Sequence, residues 1–238
     1  QRYTYSEGIK YLGSKQRPMR VALRRSIMDV YEVEMKKSPS TRLKYSNKLA
    51  GIGNYWNKFN GEAHDLSKPG LYEKSKTREV AFEKWVRDNK KEDTYGNVTS
   101  LYDEAYLELN KIGLFPVYFS DGIRNSQAMM NALNFRSYVA LLSADDDAKK
   151  KQAKAMHSQM LQSTGAMFKE YVDAIELPVL EQVLKHIYMD LDNSHFSAGM
   201  KKMGAKYKDD YATMAQDLWD KSGFTSQAKL DRLLKKNT

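Results

Sequence analysis

The stretch from Tyr45 to Leu66 constrains this chain most. Its apolar residues Tyr45, Leu49, Ile52, Trp56, Phe59, Ala63 and Leu66 recur in steps of four and three. That is the period of a helix with one buried face. Inside the same run stand Gly51, Gly53 and Gly61. Each glycine in a helix interior costs about 1 kcal/mol relative to alanine. The opposite stripe, Asn47, Gly51, Asn54, Lys58 and Gly61, keeps the same spacing and is small and polar. Something therefore comes close to this helix on that side. A neighbouring helix packed tightly against it accounts for the glycines as well as a ligand does.

The rest of the chain reads the same way. Helices are expected from about Pro18 to Lys37, from a Ser40 cap to about Leu66, from about Leu71 to Asn89, and from about Thr99 to Ile112. A fifth runs from about Val117 to Leu142, and Ser143 caps a sixth whose first turn holds Asp145, Asp146 and Asp147. Acids there favour the helix dipole. Leu177, Leu180, Leu184, Ile187 and Leu191 mark a seventh, Tyr207, Tyr211, Met214 and Leu218 an eighth, and Leu230, Leu233 and Leu234 a last short one. No segment shows sustained strand alternation, and no repeat of fixed period is present. The expected fold class is all-α, an irregular array of about eight to ten helices forming one domain over residues 1–238.

Composition narrows the function. There are no cysteines among the 238 residues, which excludes disulfides, thiolate metal sites and a cysteine nucleophile. No apolar run approaches the about 18 residues that span a membrane, and the first residues lack a signal-peptide pattern. The formal net charge is +9. The basic residues are spread among acidic ones, with runs no longer than Lys149-Lys150-Lys151, so they read as solvated helix faces and not as a nucleic-acid surface.

Catalytic templates fail. His64, His157, His186 and His195 form no HExxH pair. Asp190 to Ser194 begins like a calcium loop, but His195 stands where a glycine is needed and Lys201 where a glutamate is needed. Gly199 to Gly204 has phosphate-loop spacing without the following Lys-Ser/Thr pair. No catalytic residue, metal ligand or cofactor site is assigned.

The run Arg42–Gly61, RLKYSNKLAGIGNYWNKFNG, resembles a segment of the bacterial serine dipeptidyl peptidases, numbers seven and eleven. The opening Arg2-Tyr3-Thr4 is similar to the point where those chains leave the protease body. Phe224–Leu234, FTSQAKLDRLL, is similar to the helix before they return. The resemblance implies a helical insert, or cap, excised from a chymotrypsin-like double barrel that holds the whole Ser-His-Asp triad. It implies a peptide substrate with a free N-terminus, the barrel of the same polypeptide as partner, and a periplasmic or secreted location. By matched position Asn54 contacts the substrate ammonium, with Gly51 and Lys58 as secondary residues. Lys58 is expected to point away from the amine. Such a fragment gates access and binds the N-terminus without peptidase activity of its own. The competing reading is a stand-alone basic helical module for an acidic protein or nucleic acid.

Overall fold

A computed structural model describes residues 5–236, and these are mostly helical with no strand. The helices are α1 (Ser6–Tyr11), α2 (Arg17–Lys37), α3 (Pro39–Leu66), α4 (Leu71–Asp88), α5 (Glu92–Tyr95), α6 (Val98–Ile112), α7 (Phe115–Val117), α8 (Gln127–Leu142), α9 (Asp147–Lys169), α10 (Asp173–Asp190), α11 (Ala198–Tyr207), α12 (Tyr211–Lys221) and α13 (Gln227–Lys236). The all-α expectation holds. Arg2, Tyr3 and Thr4 lie outside the described residues.

The helix starts correct several readings. Ser38, not Ser40, caps α3: its Oγ accepts from the Thr41 N–H at 3.3 Å, which leaves Pro39 at the first helical position, where no N–H is needed. Asp146, not Ser143, caps α9 by accepting from the Ala148 N–H at 2.7 Å. The single helix expected from Val117 to Leu142 is broken. A π turn at Tyr118–Gly122 and a 3-10 turn at Ile123–Asn125 precede Ser126, which is extended and caps α8. The eighth stripe is also two helices. Lys208 takes φ 52° between α11 and α12, and Asp210 then caps α12.

The chain divides into two compact units. One comprises Gln1–Arg25 and Ala50–Val117, the other Ser26–Leu49 and Tyr118–Thr238. Helices α2 and α3 contribute residues to both.

In the first unit α1 is pinned by a carboxylate from another helix. Ser6, fully buried, starts α1 with no side-chain cap of its own. Glu79 of α4 supplies one, accepting from the Ser6 N–H at 2.6 Å and from the Ser6 hydroxyl at 2.8 Å. Free N–H groups at a helix start need such a partner. Tyr11 donates to the Gly113 carbonyl at 2.9 Å at the far end of α6. Ile9, Met19, Leu23, Ile52, Phe59, Val86 and Val117 are buried apolar residues of this unit.

In the second unit α10 is the buried element. Ile175, Val179, Leu180, Val183, Leu184 and Ile187 face inward, and Leu180 and Leu184 meet Met214, Ala215 and Trp219 of α12. A second cluster joins Tyr138, Ala153, Met160, Leu230 and Leu234 of α8, α9 and α13. Glu176 of α10 is also buried. It accepts from the Tyr45 hydroxyl at 2.7 Å and from the Gln127 N–H at 3.2 Å, and the Lys48 ammonium is 3.8 Å away. Burial pushes this carboxyl up, against the pull of the Tyr45 hydrogen bond and the Lys48 charge.

Candidate functional site

The two stripes of α3 separate as their spacing requires. Tyr45, Ile52 and Phe59 are buried, with Leu49, Trp56, Ala63 and Leu66 half-buried. Asn47, Gly51, Asn54, Lys58 and Gly61 are all exposed. A methyl group built at Gly51 or Gly61 would meet nothing within 4 Å. Within their own unit no helix packs against these two glycines.

Asn54 stands in the middle of this open face, and its amide makes no hydrogen bond within the described residues. Asparagine competes with the helix backbone for hydrogen bonds and is a poor choice in a helix interior. Here it has no packing or capping task to offset that. Lys58 is directed one turn onward, with its ammonium 4.0 Å from Glu62. Glu62 is also 2.5 Å from the Arg17 guanidinium. The face therefore presents a neutral amide, and the Glu62 carboxylate beyond Lys58 already sits between two cations.

What holds the buried side is only partly what the sequence suggests. Phe59 and Trp56 do anchor α3, but against arginines. The guanidiniums of Arg17 and Arg20 lie 4.9 and 4.7 Å from the Phe59 ring centre, and Arg24 lies 5.2 Å from that of Tyr55. Arg25 approaches Trp56 at 6.0 Å. Cation–π pairs of this kind are worth about 0.5–2 kcal/mol, more when desolvated, and Arg17 and Arg24 are both buried. Arg17, Arg20 and Arg24 follow steps of three and four, so a cationic stripe was visible in α2. Its aromatic partners were not, because α3 could have turned any face to it. Tyr55, the residue after Asn54, is 54% exposed.

Elsewhere the lysines pair along their own helices, as with Lys10–Glu7, Lys37–Glu34, Lys84–Asp88 and Lys221–Asp217. These lysine charges are balanced locally by acids one turn away. Among the described residues no three His, Asp or Glu side chains converge as metal ligands, and no helix is long and apolar enough to cross a membrane.

Known proteins resemble this chain over nearly its whole length. It is 25% identical over 235 residues to a dipeptidyl-peptidase 7 of Porphyromonas gingivalis, covering 98% of this chain and 32% of that protein. It is 23% identical over 235 residues to an Asp/Glu-specific dipeptidyl-peptidase of Capnocytophaga gingivalis, with the same coverage. A second Asp/Glu-specific dipeptidyl-peptidase, of Flavobacterium psychrophilum, matches at 23% over 185 residues, 77% of this chain and 26% of that protein. The chain spans about a third of the length of these relatives. The peptidase S46 profile matches residues 1–238, the whole sequence, and the chain belongs to the peptidase S46 family.

Proposed function

We propose that this chain is the helical, substrate-gating part of a serine dipeptidyl peptidase, and that Asn54 binds the free amino end of the peptide substrate. The observation that carries the reading is the exposed, unpartnered Asn54 amide on a face kept open by Gly51 and Gly61. The relatives' names supply the reaction class, release of dipeptides.

The chemistry is consistent with that task. A peptide ammonium has three N–H donors and no acceptor, and an amide oxygen takes one of them. The Glu62 carboxylate toward which Lys58 is directed is already engaged by Arg17 and Lys58. An opposing charge for the ammonium then comes from the remainder of the polypeptide, the barrel that carries the catalytic triad. Asn54 sets position and orientation, and the missing side chain at Gly51 leaves clearance for the peptide end. A periplasmic or secreted setting belongs to the same reading.

The test uses the full-length enzyme. Asn54→Ala lowers kcat/KM for dipeptidyl substrates by roughly tenfold to a hundredfold, the loss of one hydrogen bond to a charged group. Unchanged efficiency would remove Asn54 from the site. The 238-residue chain alone turns over no dipeptidyl amide, and titratable turnover by it would overturn the assignment of chemistry to the barrel.

A further inference from the structure

In the second unit a hydroxyl, an imidazole and a carboxylate form one hydrogen-bonded row. Ser26 Oγ of α2 is 2.9 Å from His186 Nε2, and His186 Nδ1 is 3.0 Å from Asp190 Oδ2. His186 and Asp190 are one turn apart on α10, which puts them on one side of that helix. Tyr118 donates to the same Asp190 oxygen. Burial pushes the Asp190 carboxyl up, but the hydrogen bonds from His186 and Tyr118 outweigh it and hold it below the usual range.

The proton order follows. An ionised carboxylate only accepts, so Nδ1 of the neutral imidazole carries the proton. Nε2 then accepts from the Ser26 hydroxyl. A serine activated by a base that is itself oriented by a third group is the general arrangement of a nucleophile. Ser26 also lines a cavity of about 360 Å³, with Val30, Val33 and Pro178 as apolar wall and Asp29 and Glu34 as carboxylates.

We propose that Ser26 is a His186-activated nucleophile that accepts an acyl or phosphonyl group from a small neutral or cationic electrophile entering this cavity. Ser26 Oγ attacks the carbonyl carbon or the phosphorus. Its proton moves to His186 Nε2, the new O–C or O–P bond forms, and the bond to the leaving group breaks. The proton then passes to the leaving group or to solvent. Ser26 lies in the middle of the continuous helix Arg17–Lys37, where its own N–H is spent on the helix. It therefore lacks the backbone donor that stabilises an oxyanion in amide hydrolysis. The reaction stops at the Ser26 adduct and does not extend to peptide turnover.

The experiment treats the folded 238-residue chain with a neutral alkyl fluorophosphonate and reads adducts by intact mass and peptide mapping. One adduct is expected, at Ser26, absent from Ser26→Ala. His186→Gln slows it by roughly a hundredfold, the contribution of a positioned base, and Asp190→Asn slows it too. Urea-unfolded wild type is not labelled at Ser26. No adduct at Ser26 in the folded chain overturns the proposal, as does equal labelling of His186→Gln or of the unfolded chain. Should His186→Gln fail to fold, the folded-against-unfolded comparison of wild type decides.

Discussion

Replacing Gly51 by alanine separates stability from function. Gly51 lies in the interior of α3, exposed, and a Cβ there meets nothing within 4 Å. The substitution therefore brings no clash, only the helix-propensity gain of about 1 kcal/mol. For a chain of this length that corresponds to a rise in Tm of about 2–4 °C. If the unit holding Gly51 unfolds on its own, the rise moves toward the about 4–8 °C of a smaller domain. Gly113→Ala is the control, since its Cβ would collide with the Leu109 carbonyl oxygen and the Tyr11 hydroxyl. That variant should lose stability. Thermal and urea denaturation of the 238-residue chain measure both. In full-length enzyme the same Gly51→Ala puts a methyl group where the peptide end is proposed to approach, so kcat/KM falls while Tm rises. A Gly51→Ala chain less stable than wild type would refute the open-face reading. A stabilised enzyme with unchanged kcat/KM would place the peptide elsewhere.

Three further outcomes follow from buried or paired side chains. Glu79→Ala strips the start of α1 of its partner for the Ser6 N–H and hydroxyl, both buried, and should cost about 3 kcal/mol, read from the urea midpoint. Glu176 carries a carboxyl held above the ordinary glutamate range by burial. The folded state then binds its proton more tightly than the unfolded state, so the stability tied to this group is full below the usual glutamate pKa and declines as pH rises through the raised value. Denaturation between pH 4 and 8 should show that decline in wild type and its absence in Glu176→Gln. Asp217, by contrast, is held below its usual range by hydrogen bonds from Lys221, Tyr207 and Lys206. Its contribution is present above the ordinary aspartate pKa and is lost as pH falls, and Asp217→Asn should flatten the acid side of the same profile.

How far the sequence reached is clearest on α3. Each residue's direction around a helix follows from its spacing along the chain, so the buried stripe of Tyr45, Ile52 and Phe59 and the open stripe through Asn54 were both legible. Helix breaks were legible where Pro and Gly mark them, as at Lys68-Pro69-Gly70. They were not where the cause is remote. The break at Tyr118–Asn125 carries only Gly122 as a local mark, while Tyr118 is tied to Asp190 across 72 residues. The left-handed Lys208 that splits α11 from α12 has no signal at all, because lysine rarely takes that conformation.

By itself the sequence determined the helical class, most helix positions and the exposure of the Asn54 face, because helix formation and amphipathic direction are local properties. Only the tertiary structure decided which charged groups are drawn inside. Glu79 meets Ser6 across 73 residues, Tyr45 meets Glu176 across 131, and Ser26 meets His186 across 160. A carboxylate or imidazole read in sequence is by default a surface group. Its burial depends on partners that reach it only when distant helices pack, and those partners are what make the burial affordable.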